Sequence, residues 1–325
     1  MLPSPEGFSG KQYAILALGN PIVDITVEMD EEQVLALGLT VGVDAPPLDD
    51  AERQKIIDFC AASPTVAYTP GGAALNTIRV SQSYLNHPEA TAYIGAVGSD
   101  DLAKVIVDGC DRCGVKTVLQ SVDEATGALH LEIENGRSVQ RAGTSLSGTC
   151  AALICNKDRA LAGLPGAARR LSHDFVKANE HLVAASAIVY IDTFALVSPP
   201  RVATAMWLAG KTCEYGGRLA LNLQSANLLK FNKNARDAIA AMLPLATYIF
   251  GNAQELEAYA DLQGWEVGSG EGLSLAEKLA AQLGTAHAPA IATITAGGGP
   301  TILAVSCTSL PSALGINCRF LWHHH

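Results

Sequence analysis

Two clusters of residues in this sequence have the types and spacing for gripping a hydroxyl-rich ligand. Gly71-Gly72 lets the backbone approach a ligand closely, because no Cβ intrudes. The pair stands where a helix begins, so free N–H groups face outward. Asn76, one helical turn on, offers both a donor and an acceptor, which suits a polyol such as ribose. Upstream, Asn20 follows Gly19 at the end of an apolar strand, at the carboxyl edge where α/β proteins bind ligands. Asp24 lies four positions further. An ionised carboxylate accepting two hydroxyl hydrogen bonds would fix a vicinal diol. The plainer readings are a strand-to-helix turn at the diglycine and a surface aspartate in a turn. A third cluster, Asn252-x-x-Glu255, follows a strand and opens a helix, the pattern of a reciprocal N-terminal capping box.

Alternating strands and helices must position these residues. Short apolar runs predict strands at 13–18, 66–68, 91–97, 115–119, 187–191, 218–223, 247–250, 290–295 and 301–305. Helical spacing predicts helices at 31–39, 54–60, 73–85, 101–113, 175–183, 200–208, 235–242 and 273–283. Leu129 to Ile133 alternates before the turn signal Asn135-Gly136, a hairpin pattern. Ala151 to Ile154 with the following Asn156-Lys157-Asp158 reads as another strand and turn. From about residue 65 the alternation favours an α/β fold with a mainly parallel central sheet covered by helices. Extra short β patterns near 25–50 and 126–160 suit a small β lid.

Composition narrows the classes further. Over 325 residues, 49% are hydrophobic and 17% charged, enough for a sizeable core. A net charge of −10 argues against a nucleic-acid partner, which needs a basic face. No apolar run suits a membrane span, and the first ten residues lack the pattern of a secretory signal. Eight scattered cysteines fit a reduced, cytoplasmic protein. Cys110-Asp111-Arg112-Cys113 has redox or metal spacing, but it follows a helical pattern and reads as two semi-buried helix cysteines. His323-His324-His325 reads as a tag remnant.

Leu18-Gly19-Asn20-Pro21-Ile22-Val23-Asp24, Pro70-Gly71-Gly72-Ala73-Ala74-Leu75-Asn76 and Phe250-Gly251-Asn252-Ala253-Gln254-Glu255 occur in the order in which the ribokinase-type (PfkB) carbohydrate kinases carry them. Gly95-Ala96-Val97-Gly98-Ser99-Asp100 matches another motif of that family. The chain resembles this family over roughly residues 13–305, and within it the adenosine kinases. The resemblance implies a ribokinase-like three-layer sandwich with a β lid, and transfer of the γ-phosphoryl of ATP to the 5′-hydroxyl of adenosine. It assigns Asn20, Asp24, Gly71, Gly72 and Asn76 to the ribose and Arg159 to a phosphate. Asn252 and Glu255 fall to the Mg²⁺–phosphate water network, with Glu255 acting on the metal through water. Thr295 and Gly297 line the nucleotide site. A guanidinium suits Arg159 to its part, and Mg²⁺ ordinarily keeps several waters that a carboxylate can hold. A monomer is expected. Another sugar or nucleoside kinase of this fold, or a nucleoside-binding form without catalysis, are the alternatives.

The sequence departs from the family in two places. Residues 128–146 read as an insertion of roughly twenty residues ahead of Ser147-Gly148-Thr149-Cys150-Ala151. After Val305 the expected Asp-Thr-x-Gly-Ala-Gly-Asp element, with the family's catalytic base, does not follow. Residues 306–325 read as an irregular tail, such as a frameshift or truncation would leave. A missing base implies turnover lower by about 10²–10⁴, and each lost anion-binding donor by about 10²–10³ more. Weak or absent turnover is therefore the expectation.

Overall fold

Uninterrupted apolar runs make the buried strands, and alternating runs make the strands that carry polar groups. The structure, a computed structural model, describes residues 10–42, 49–122, 129–130, 133–134, 137–138, 146–266, 272–284, 289–297, 299–306 and 319–322. These divide into two compact units, one holding the chain up to Leu18 and from Ser172 onward, the other Gly19–Leu171. Among the described residues no helix is long and apolar enough to cross a membrane.

The first unit opens with β1 (Tyr13–Leu18). The second unit begins with β2 (Ile22–Glu28), α1 (Glu31–Ala36) and α2 (Asp50–Ala61). Then come β3 (Ala67–Gly71), α3 (Ala73–Leu85), β4 (Thr91–Gly98), α4 (Asp101–Cys113) and β5 (Lys116–Val122). Short strands β6 (Leu129–His130), β7 (Ile133–Glu134) and β8 (Arg137–Ser138) precede the hairpin of β9 (Gly148–Cys155) and β10 (Asp158–Leu164). All eight residues of β4 are buried, and β4 pairs parallel with β5. The strand order β10-β9-β2-β3 forms a separate four-stranded sheet; β9 lies within the expected 126–160 stretch and β10 starts in it, β2 only overlaps the start of the 25–50 stretch, and β3 lies outside both.

Strand β2 alternates, so Val23, Ile25 and Val27 are buried while Ile22, Asp24 and Thr26 face the other way. Ile25 and Val27 join a core with Val34 of α1, Ile56, Ile57 and Cys60 of α2, and Leu153 of β9. That core fixes which side of the sheet Asp24 occupies, because a one-residue slip would exchange the faces. The predicted hairpin around Asn135-Gly136 takes the form of Ile133 paired with Ser138 and Glu134 with Arg137. The turn residues themselves, like most of the 128–146 segment, lie outside the described residues.

The first unit resumes with α5 (His173–Ala178), α6 (Glu180–Ala184), β11 (Ser186–Asp192), α7 (Pro199–Glu214) and β12 (Arg218–Asn222). It continues with α8 (Ala226–Phe231), α9 (Lys233–Met242), β13 (Ala246–Asn252), α10 (Ala253–Leu262) and α11 (Gly272–Ala280). It ends with β14 (Ala290–Thr295), β15 (Thr301–Ser306) and β16 (Arg319–Trp322). Strand β1 pairs parallel with β11, and β12, β13 and β14 follow in parallel.

Two expectations need correction. The single helix predicted over 175–183 is two short helices, divided at Asn179, whose side chain donates to the Phe175 carbonyl at 2.9 Å while its backbone leaves the helical region. Such local side-chain bonding competes with helix continuation. The tail is also less irregular than its sequence suggests. Arg319–Trp322 pairs antiparallel with β15, Thr301 opposite Trp322. An edge strand offers unpaired backbone groups to any extended segment, and Phe320 and Trp322 are strand-forming types.

Helix α4 positions the approach to the diglycine. A Cβ on Gly109 would lie 2.3 Å from Pro70 Cγ, and the proline ring cannot rotate away. Gly109→Ala would gain about 1 kcal/mol in helix propensity but incur about 1–3 kcal/mol of overpacking. The expected outcome is net destabilisation of about 1 kcal/mol or more, read as a lower urea midpoint at unchanged slope. A stabilised variant would show that α4 and Pro70 are not in rigid contact.

Candidate functional site

In the second unit the site grows from β2 and the β3–α3 junction. Asp24 stands opposite Thr69 on β3 and Cys150 on β9, and Cys150 stands opposite Gly163 on β10. Residues directly across a ladder share a face, so these four make one row. Further along that face, Glu28 pairs with Ile154 and Ile154 with Arg159. The register therefore sets the exposed Arg159 on the same face as Asp24, although sequence spacing suggests only a turn. Its backbone N–H donates to Asp158 Oδ1 at 2.8 Å.

The Asp24 carboxylate folds back over Gly71. A Cβ there would fall 2.2 Å from Asp24 Oδ2, so no residue but glycine leaves the carboxylate this seat. Gly72 is required for a different reason. Its φ is +102° and a Cβ would meet the Asn20 carbonyl at 2.3 Å. The diglycine is thus a strand-to-helix turn and a close backbone approach at once. Gly72 occupies the N-cap of α3 without a side chain to cap it, and Asn76 N–H donates to its carbonyl at 2.8 Å. Asn20 is partly buried just beyond β1, and Asn76 is exposed on the first turn of α3.

Burial is the main influence on Asp24. It raises the carboxyl from 3.8 to about 6, against the lowering fields of the Arg79 and Arg159 guanidiniums. Arg79 is the residue that sequence reading passes over. It lies one turn after Asn76 on α3, a spacing that puts the two side chains side by side. The Arg79 Nη1 donates to the Pro70 carbonyl at 2.7 Å and to Asn76 Oδ1 at 3.3 Å.

In the first unit the polar residues gather at the carboxyl ends of parallel strands. Asp192 stands opposite Asn222, and Asn252 opposite Thr295. Asn252 and Glu255 form the complete capping box. Asn252 Oδ1 accepts from Glu255 N–H at 2.9 Å, Glu255 Oε2 accepts from Asn252 N–H at 2.9 Å, and Glu255 Oε1 accepts from Asn252 Nδ2 at 2.8 Å. Glu255 is buried, 6% exposed. Both of its oxygens are thus engaged by the cap. Thr295 Oγ1 donates to the Gly251 carbonyl at 3.4 Å. Gly297 is exposed at φ +58°, on the turn of the β14–β15 hairpin. Among the described residues no three His, Cys, Asp or Glu stand together as a metal cage.

Cys110 is buried on α4 and Cys113 partly so, and both are free thiols. They are helix cysteines, as their sequence context predicts.

The sequence matches the pfkB family of carbohydrate kinases over residues 57–141 and 135–312, and the chain belongs to that family. The two matched stretches meet inside the segment read as an insertion. Adenosine kinase 2 of Arabidopsis thaliana is 24% identical over 294 residues, covering 89% of this chain and 76% of the plant protein. The adenosine kinase of Saccharomyces cerevisiae is 28% identical over 251 residues, covering 76% of this chain but 66% of the yeast protein. Among solved structures, Anopheles gambiae adenosine kinase in complex with P1,P4-di(adenosine-5) tetraphosphate superposes with a TM-score of 0.78 at 20% identity. That superposition covers 96% of this chain and 81% of the mosquito protein. Schistosoma mansoni adenosine kinase in complex with 2-fluoroadenosine gives 0.77 at 22% identity, covering 97% and 82%. These likenesses establish the shared α/β fold.

The raised Asp24 has a thermodynamic signature. The folded protein holds this proton more tightly than the unfolded chain, so stability falls as pH rises from about 4 to about 6 and stays lowered above that range. Asp24→Asn removes the penalty. It is expected to stabilise the protein by roughly 2 kcal/mol at pH 8, with the gain shrinking towards pH 4. Urea unfolding of both proteins across this range checks it; equal stability at pH 8 would mean that Asp24 is well solvated.

Proposed function

We propose that this chain binds adenosine through Asn20, Asp24, Gly71, Gly72 and Asn76, and that its reaction class is transfer of a phosphoryl group from ATP to the 5′-hydroxyl, giving AMP. The observation that carries the reading is the Asp24 carboxylate, seated against glycine backbone and largely withdrawn from water. A carboxylate kept there at a cost to stability is suited to two adjacent hydroxyls, which replace lost water with directed bonds. Membership of the family and likeness to proteins named adenosine kinases support the choice of ligand.

Each residue then has a distinct part. Asp24 accepts from the vicinal hydroxyls of the ribose. The diglycine lets the backbone come within contact distance, and Asn20 and Asn76 add neutral donors and acceptors. Arg159 offers a permanent bidentate cation to a phosphate. Asn252 fixes the Glu255 carboxylate through the capping box, Glu255 holds a metal through water, and Thr295 and Gly297 line the nucleotide. When bound, Mg²⁺ would offset the negative charge of the ATP phosphates. Asp24 must be ionised to accept both hydroxyls, so affinity should fall as pH drops through about 6. A cytoplasmic protein acting as a single chain in nucleoside salvage is in keeping with this reading.

The test is AMP formation from adenosine and Mg-ATP by the purified chain, with calorimetric titration of adenosine and Asp24→Ala alongside. Adenosine binding weakened by Asp24→Ala at least about thirtyfold, roughly 2 kcal/mol, is the expected result. AMP at ordinary kinase rates would place a general base among the residues present. Binding without AMP would make the chain a nucleoside-binding form. Ribose or another sugar bound in preference to adenosine would move the substrate within the family.

A further inference from the structure

We propose that Arg79 is a positioning residue for the nucleoside site: it orients the Asn76 amide so that its NH₂ group faces the ligand, and it supplies the positive field under which Asp24 works. The inference rests on the reading of this site as a nucleoside site and names a residue which that reading does not contain.

A guanidinium only donates. The Asn76 atom that Arg79 Nη1 meets at 3.3 Å must therefore be the carbonyl oxygen, Oδ1. The amide cannot flip without setting two donors against each other, and its NH₂ is held on the side away from Arg79. Asn76 is exposed, so that NH₂ is placed to donate to a ligand oxygen. The same Nη1 donates to the Pro70 carbonyl at 2.7 Å, which ties the guanidinium to the residue ahead of the diglycine. One side chain thus fixes Asn76 relative to the Gly71 seat of Asp24.

Among the described residues Arg79 forms no ion pair, and its buried Nε has no hydrogen-bond partner. No carboxylate among the described residues is bonded to it, so its charge acts on Asp24 through space. The titratable and charged groups about Asp24 are Arg79 from α3, Arg159 and Cys150 from β10 and β9, and Glu28 further along β2 on the same face. Cys110 lies beyond Arg79 and Arg53 beyond Cys150. Both thiols are pushed up to about 12 by burial and stay neutral at any working pH. The two arginines are left as the groups that favour the ionised Asp24, and Arg79 has the larger influence of the two.

Adenosine titrated calorimetrically into the full chain tests both arms. At pH 8.5, where Asp24 is ionised with or without Arg79, Arg79→Met should weaken binding about tenfold. In an Asn76→Ala background the same change should cost less than about threefold, the non-additivity of residues that act through one another. Across pH 5–8, Arg79→Met should raise the midpoint at which affinity is lost, while Arg79→Lys, which keeps the charge, should hold the wild-type midpoint yet bind more weakly at pH 8.5. If Arg79→Met does not fold, Arg79→Lys in both Asn76 backgrounds carries the cycle. Equal costs in the two backgrounds with an unmoved midpoint would reduce Arg79 to a structural residue and overturn the inference while leaving the nucleoside site standing. A wild-type chain that binds no adenosine would overturn the site reading, and the inference with it.

Discussion

A carboxylate pressed against backbone, largely out of water and, among the described residues, without a salt-bridging partner, organises the second unit. Asp24 can occupy its seat only because Gly71 has no side chain, because β2 alternates strictly, and because the core under the sheet prevents a register slip. Each condition concerns a different level of the chain: one residue type, one local period, one packed core. The raised proton affinity that results means that the fold sustains an unfavourable charge at neutral pH. Proteins hold such strain where a ligand relieves it, which is why the carboxylate is the centre of the functional reading.

The first unit solves a different problem. Its polar residues sit at the carboxyl ends of parallel strands, the edge where helix starts and strand ends converge. The capping box of Asn252 and Glu255 is structural in its own right, and it holds a buried carboxylate in one rotamer. A cap and the functional part proposed for Glu255 are compatible. The cap is what makes the carboxylate's direction dependable.

Much of this was legible in the residues. The strand β1, the helices α3 and α4, and the β14–β15 hairpin follow from apolar periodicity and from Gly71-Gly72 and Gly297 as breakers. The diglycine, Asn20, Asp24 and Asn76 stand out in the sequence as candidates for a hydroxyl-rich ligand, and the structure adds why two glycines are needed, each for its own contact. What the residues did not disclose came from pairing across strands or from backbone competition. Arg159 joins the Asp24 face through a register that no local pattern encodes. Arg79 is one of many helix arginines until its contacts to Pro70 and Asn76 are seen. The helix break at Asn179 and the pairing of Arg319–Trp322 likewise depend on a single side-chain bond and on an open sheet edge.

Asp100 caps α4 and also grips Ser147, accepting from its hydroxyl at 2.7 Å and its backbone N–H at 2.6 Å, while Gly98 N–H donates to the Ser147 hydroxyl at 3.0 Å. The clasp brings Gly98 and Asp100, ahead of β5, together with the residue just before β9. Everything inserted between β5 and β9 therefore leaves from and returns to anchored points. Closing such a loop becomes only about 0.6 kcal/mol more costly with each doubling of its length. The chain can therefore gain or lose residues in this stretch at small thermodynamic expense, which makes it a natural place for members of one fold to diverge in length.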